Sequence, residues 1–276
     1  MKRKLFLLPS LALMALIIFQ TSCKKDDPEP DPVPDSGKIV IKFDHRINDQ
    51  AVQFDTTMYT NTAGNQYQVN EIQYFISDVT LHGSNGSKFM IDDWIDIYYV
   101  DVDIPSTLTW NVFDKIPVGS YSAISFTFGI TEAKNIPYMY VNPPESFMFW
   151  PSFLGGLNGG YHYLKLNGKW IDTTLQLAPF DFHLGVGQIY AGNVIVVDSI
   201  IDYVQNYFEV SLPSSSFSIA KDETKEIQLV MNIDNWFQNP NIFDHNVWGS
   251  YIMQTQNAMQ AVKENGHDVF SIGYIQ

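Results

Sequence analysis

The sequence predicts an all-β protein: an antiparallel β-sandwich or flattened barrel with one C-terminal helix. Three observations lead there. Apolar and polar residues alternate with period two through most of residues 38–276, as in strands with one buried face. Turn-forming residues separate these runs at short intervals. A single late segment instead repeats its apolar residues at helical spacing.

The first 22 residues stand outside that fold. MKRK is a basic start, residues 5–19 form an apolar run, and QTSC follows. This is the pattern of a secretory signal, too short and one-sided for a membrane-spanning anchor. Cys23 is the one cysteine in the chain. It follows a small residue at the end of the run, as in the bacterial lipoprotein box, with Gln20 where an aliphatic residue is usual. Two readings are open: cleavage before Cys23 with lipid on its thiol, or an ordinary signal cleaved elsewhere. The first anchors the mature chain to a membrane and leaves no cysteine for a disulfide. It implies a cell-envelope lipoprotein of the outer membrane, periplasmic or surface-exposed.

Residues 23–37 carry that cysteine and KKDDPEPDPVPDSG, an acidic, proline-rich tether that cannot build a core. Its KKDD start looks like the export tag that sends some lipoproteins to the outer cell surface. No second linker follows, so residues 38–276 read as one β domain. The whole chain is 45% hydrophobic and 14% aromatic, ample material for one large core. The formal charge is −14; loss of Lys2, Arg3 and Lys4 takes Lys+Arg from 16 to 13 against 30 Asp+Glu, giving −17. So acidic a chain repels phosphate backbones, which argues against nucleic acid and for cations as partners.

Along the domain, KIVIKF places Ile39, Ile41 and Phe43 on one face. IQYFISDVTLH runs into GSNGSKFMI, with Asn85-Gly86 as the strongest hairpin signal. IDIYYVDVDI, SYSAISFTFGI, YHYLKLNGKWI, FDFHLGV, NVIVVDSI, YFEVSL and KEIQLVMNI also read as strands. Pro117-Val118-Gly119 and Asn167-Gly168 read as turns. In GSYIMQTQNAMQAVKENG, Ile252, Gln256, Met259 and Val262 or Ala258 recur at helical spacing, and Gly266 reads as the helix stop.

No enzyme motif is present: no G-x-S-x-G, P-loop, H-E-x-x-H or G-x-G-x-x-G. The chain reads as a non-enzyme. Asp92, Asp93, Asp96, Asp101 and Asp103 cluster without calcium-loop spacing and read as a solvated strand edge. Of six histidines, His82 beside a turn and His267 after the helix read as solvated. Alternation puts His162 with Leu164 and Leu166, and His45 with Ile39, Ile41 and Phe43. His183 projects opposite Phe180, Phe182 and Leu184, beside Asp181. An imidazole on an apolar face needs a partner, and singly each of these reads first as a structural histidine. FMFWPSFLGGLNGGYHYLKLNG, residues 147–168, crowds aromatics against glycines ahead of His162. It reads equally as an aromatic core plug with a hairpin loop or as the wall of a binding site.

NEIQYFISDVTL, IPVGSYSAISFTFGI, MFWPSFLGGLNGGYHYLKLNG, FDFHLG and the late helix occur in one order. Together they resemble the MbnP-like copper-binding family, found beside methanobactin genes, over residues 38–276. That resemblance implies a secreted β-sandwich that binds copper through imidazoles and a tryptophan oxidised to kynurenine. It implies His183, in FDFHLG, as the best-placed ligand, with His45 of FDHRIND, Trp150 of MFW and His162. Relatives run from tryptophan through a few residues to Gly-Tyr; here PSFLGGLNG intervenes. The chemistry is consistent, since imidazole suits copper and an indole N–H only donates, whereas kynurenine carries a coordinating aryl amine. The implied function is a membrane-anchored lipoprotein that sequesters or delivers copper, served by a redox partner that modifies Trp150. The alternatives are a cell-surface β-sandwich that binds glycan or protein through exposed aromatics, and a structural surface protein without ligand.

Overall fold

Alternation along the chain becomes two facing sheets. The computed structural model describes residues 34–56, 58–92, 96–150, 160–192 and 196–276. The signal, Cys23, the tether up to residue 33, Asp93 and residues 151–159 of the aromatic–glycine stretch lie outside the described residues.

One sheet has six strands, β1 (Ser36–Ile47), β2 (Gln50–Ala51), β7 (Thr109–Asn111), β8 (Ile116–Pro117), β16 (Thr224–Asn232) and β17 (Phe270–Ile275). The other has nine, β3 (Tyr59–Thr60), β4 (Gln66–Gly83), β5 (Lys88–Met90), β6 (Ile97–Asp101), β9 (Gly119–Phe128), β10 (Leu164–Ile171), β11 (Leu177–Leu184), β14 (Phe208–Leu212) and β15 (Phe217–Ile219). A separate ribbon pairs β12 (Gly187–Tyr190) with β13 (Ile200–Val204). Among the described residues the strands pair antiparallel except for β1 with β16, which run parallel at the centre of the first sheet; an isolated parallel bridge also joins Asp181 to Tyr251. The mainly antiparallel sandwich expected from the sequence is thus observed, with one parallel pair that joins strands distant in the chain, Lys38 opposite Thr224.

The core lies between the sheets. Ile39, Ile41 and Phe43 are buried on β1 and meet the inner face of the second sheet, where Phe43 touches Tyr74 edge-on at 6.3 Å. Phe180, Phe182 and Leu184 line the same core from β11, as alternation predicts. The second sheet is also covered on its outer face. Phe75, Ile97, Tyr99, Met148, Tyr161 and Tyr163 form a second, mainly aromatic cluster there. This cluster is where much of the aromatic stretch is spent.

Several sequence expectations shift. Asn167-Gly168 is no turn but the interior of β10, where the register with β4 slips. A Cβ on Gly168 would lie 2.2 Å from the Gln68 carbonyl and 2.4 Å from the Phe180 ring, so close approach requires the glycine. Of NVIVVDSI, residues 193–195 lie outside the described residues; Val197–Ser199 forms a 3-10 turn where the sequence predicts a strand, and β13 starts at Ile200. The α-helix is shorter than its apolar period, Gln256–Asn265, and Ile252 precedes it. Gly266 caps the helix, which ends at Asn265 as the sequence predicts, although it keeps right-handed dihedrals and leads into a 3-10 turn. It is needed because a Cβ would fall 2.1 Å from the Phe208 ring. His82 is partly buried on Ser125 Oγ (2.8 Å), and Asp101, at 3% exposure, is no solvated edge. It accepts bonds from Tyr99 Oη and Gln73 Nε2.

His245 opens a single helical turn, His245–Trp248, and is 1% exposed. Its ring lies among Trp170, Phe180, Phe237 and Phe243, with centroids 4.4–5.5 Å away, and neither nitrogen has a hydrogen-bond partner. Burial pushes its pKa down to about 4, against a smaller opposing pull from Asp244; His45 is likewise pushed to about 4. A depressed histidine excludes in the native state a proton that the unfolded chain accepts. Its neutral form therefore stabilises fully above about pH 6.5, and that contribution is lost as pH falls towards 4. Stability should drop on acidification from pH 7 to 5. His245→Phe should make the drop shallower while changing stability at pH 7 by no more than ~1.5 kcal/mol. Urea unfolding at both pH values reads this; an unchanged acid dependence would show that His245 is not the titrating group.

Candidate metal centre

A 3-10 turn, Glu145–Met148, delivers the chain to Phe149, which bridges to Tyr161. Trp150 N–H donates to the Gly160 carbonyl (2.8 Å) and His162 N–H to the Met148 carbonyl (2.7 Å). Residues 148–150 and 160–162 thus run as a short ribbon ahead of β10. Because β10 begins only at Leu164, with a bend at Tyr163, alternation does not reach His162. Its ring does not share the face of Leu164 and Leu166 as the sequence suggests. It packs against His183, which sits opposite Phe182 and Leu184 on β11.

The two imidazoles stand 5.1 Å apart between centroids, at 80°. Their hydrogen bonds assign the protons. His162 Nδ1 lies 2.9 Å from the Met148 carbonyl, which only accepts, so Nδ1 carries the hydrogen and Nε2 the lone pair. Nε2 is buried and has no partner. His183 Nε2 lies 2.6 Å from Asn167 Oδ1, while Asn167 Nδ2 donates to Glu71 Oε2 (2.7 Å). The amide is thereby oriented, His183 donates from Nε2, and Nδ1 keeps the lone pair. Burial, then Lys165, pushes the His162 pKa down to about 3, against the Met148 bond. Burial, His162 and Lys165 hold His183 well below its ordinary value. Both rings are therefore neutral near pH 7, the form that ligates a metal.

This is the supporting frame that ligating histidines require: each ring donates one N–H to a carbonyl or amide and leaves the other nitrogen available. Trp150 stands edge-on to His162 at 5.0 Å and 85°, its Nε1 buried without a partner. An indole N–H cannot ligate as it is. The donor set present suits a soft-to-borderline ion such as copper. No group of three His, Cys, Asp or Glu converges on a metal position among the described residues.

Of the four sequence-predicted ligands, the structure brings together Trp150, His162 and His183. His45 lies elsewhere: it is buried between the sheets, its ring meets Tyr74 at 5.7 Å, and its Nε2 is unpartnered. Tyr74 pairs with Leu164 on the core face, whereas His183 pairs with Lys165 on the opposite one. Sequence reasoning misses Asn167, Glu71 and the Met148 carbonyl, since only strand pairing brings them to the rings. Of the aromatic stretch, Phe149, Tyr161 and Tyr163 join the outer cluster, and Trp150 and His162 lie at the candidate site.

A sequence profile of the MbnP family matches residues 36–255. The chain belongs to the MbnP family. Among solved structures it is similar to MbnP from Methylosinus trichosporium, at 15% identity over 75% of this chain and 80% of that chain, with a TM-score of 0.47. A search of curated protein sequences finds no match. In this MbnP domain the two tautomers are directly testable. Nitrogen-15 correlation spectra of the metal-free protein should show His162 protonated at Nδ1 and His183 at Nε2. The reverse tautomer at either ring would remove the lone-pair arrangement described above.

Proposed function

We propose that this MbnP-family chain binds copper in the cell envelope and sequesters or delivers it, without acting as an enzyme. The observation that carries the reading is the pair of neutral imidazoles, His162 buried and His183 half-buried, each with one nitrogen committed as donor and one left with its lone pair. Membership of the MbnP family supports a methanobactin-associated, copper-related role. Copper there would be held by His162 Nε2 and His183 Nδ1. Trp150 enters the ligand set only after oxidation by a redox partner, which would place kynurenine's aryl amine beside His162. The acidic surface favours cationic cargo over nucleic acid.

The mature protein is anchored, in this reading, by lipid on Cys23 at the outer membrane, with the tether holding the domain away from the bilayer. Cys23→Ala should move the protein to the soluble fraction. Retention in membranes would exclude the lipid anchor.

Protein purified through its own export route should contain copper. His162→Ala and His183→Ala should each lose it, because a two-imidazole site has no spare ligand. His45→Ala, in the core between the sheets, should retain it, and His82→Ala, whose ring bonds Ser125, serves as a second histidine control. An intact mass above that of the sequence, localised to residue 150, is the expected mark of Trp150 oxidation. Copper content equal in wild type and the His162/His183 double variant would end the copper reading.

A second reading keeps one specific observation. Tyr98, Trp110, Phe113 and Tyr140 line a cleft of about 300 Å³, with Phe113 76% exposed and Tyr98 stacked on Trp110 at 4.5 Å. Such a surface suits stacking on a glycan or an apolar side chain. Binding to a glycan or protein ligand that survives loss of both imidazoles would favour it.

A further inference from the structure

We infer that the proton on His183 is placed from across the sheet, by Asp101 on β6, with Gln73 of β4 as the positioning residue between them. Its consequence for an ion rests on the metal-binding reading of His162 and His183.

His183 on β11, Lys165 on β10, Gln73 on β4 and Asp101 on β6 are direct partners in one row across four strands. Asp181, Asn167 and Glu71 form the next row on the same face, two residues along each strand. Lys165 stands between His183 and Gln73, but its ammonium is drawn off to the Phe147 carbonyl. The connection therefore passes through the neighbouring row. Gln73 Nε2 donates to Asp101 Oδ2 (3.2 Å) and to Glu71 Oε1 (2.7 Å). Asn167 Nδ2 donates to Glu71 Oε2 (2.7 Å), and Asn167 Oδ1 faces His183 Nε2 (2.6 Å).

Each link fixes the direction of the next. Asp101 is buried and held by the Tyr99 hydroxyl (2.7 Å) and the Asp103 N–H (2.9 Å). A carboxylate only accepts, so Gln73, itself buried, must present its NH2 group and not its carbonyl. One hydrogen goes to Asp101 and the other to Glu71. That second bond ties down the half-buried Glu71, with Oε1 toward Gln73 and Oε2 toward Asn167. Asn167 gives its NH2 to Glu71 and its oxygen to His183, whose hydrogen must then sit on Nε2. Burying the Asp101 carboxylate is costly, and this chain gives that burial a role that reaches the candidate site.

The chain implies an inversion. In Glu71→Gln the new amide must accept from Gln73, because Asp101 keeps Gln73 from turning. Its carbonyl then takes the Oε1 position and its NH2 the Oε2 position. Two NH2 groups now face each other at Asn167, which relieves the conflict by turning its own amide. Asn167 donates to His183 Nε2, and the His183 hydrogen moves to Nδ1, the nitrogen proposed to hold the ion. Adding Gln73→Met releases the new amide, which turns its carbonyl to Asn167 and returns the hydrogen to Nε2.

Nitrogen-15 correlation spectra of the metal-free variants, followed by titration of the same samples with copper, test this. Glu71→Gln should move the His183 proton to Nδ1 and leave His162 unchanged. Copper affinity should fall at least about tenfold, the loss when about a tenth of the molecules keep the competent tautomer. Glu71→Gln with Gln73→Met should recover both the Nε2–H signal and the affinity. A merely structural contact behaves otherwise, since a second substitution does not undo the first. An Nε2–H signal retained in Glu71→Gln would overturn the inference. So would an inversion that persists in the double variant, which would leave Gln73 no part in it. Equal disturbance of both rings in Glu71→Gln would make Glu71 a support of the fold and overturn it too. A wild-type protein that binds no copper, while His183 inverts as described, would overturn the metal reading and leave the proton assignment standing.

Discussion

The structure depends on the hydrogen-bonded ladders on both sides of β10. The strand pairs with β4 on one side and β11 on the other, so its residues must alternate between two enclosed faces. Leu164 and Leu166 enter the sandwich core. Lys165 and Asn167 stand on the face of His183, where Asn167 meets both that ring and Glu71. Because strand side chains repeat every two residues, a one-residue slip would send this polar set into the apolar core. Burial on both faces makes such a slip costly. Gly168, wedged against Gln68 and Phe180, holds the irregular register with β4.

Period-two alternation made the inner face legible in the sequence. Ile39, Ile41 and Phe43, and Phe180, Phe182 and Leu184, are buried where their spacing places them. His183 was legible for the same reason, as the residue opposite an apolar triplet. His162 was not, because alternation holds only inside a strand and β10 starts two residues after it. A local bend and a carbonyl fourteen residues upstream set its ring. Likewise, Asn-Gly as a pair signals a turn, but here tertiary packing consumes the glycine inside a strand. The separation of His45 from His183 could not be read at all, since periodicity says which face of its own strand a residue takes, not which sheet that strand joins.

Burial of polar groups also explains why the site is confined to one place. Three imidazoles, those of His45, His162 and His245, are buried and a fourth, His183, is half-buried, and each incurs a desolvation cost. His245 recovers part of this through aromatic packing alone, and His45 through its contact with Tyr74. His162 and His183 recover it through oriented hydrogen bonds, to a carbonyl and to an amide that is itself held by Glu71.

An unpartnered buried nitrogen is therefore not, by itself, a metal ligand. His45, His162 and His245 all have one. In the His245 cage the surrounding rings offer no second donor, so an ion entering there would be desolvated with a single ligand. At His45 the nearest ring is a tyrosine, whose own pKa is pushed well up by burial, so it stays protonated and a poor ligand. Only at His162 does a second neutral imidazole stand within 5.1 Å, with its tautomer set by an independent partner. Two rings whose protons are assigned by different parts of the fold cannot both turn their N–H groups toward one another. Their lone pairs remain available together, which distinguishes this pair from the other buried histidines of the chain.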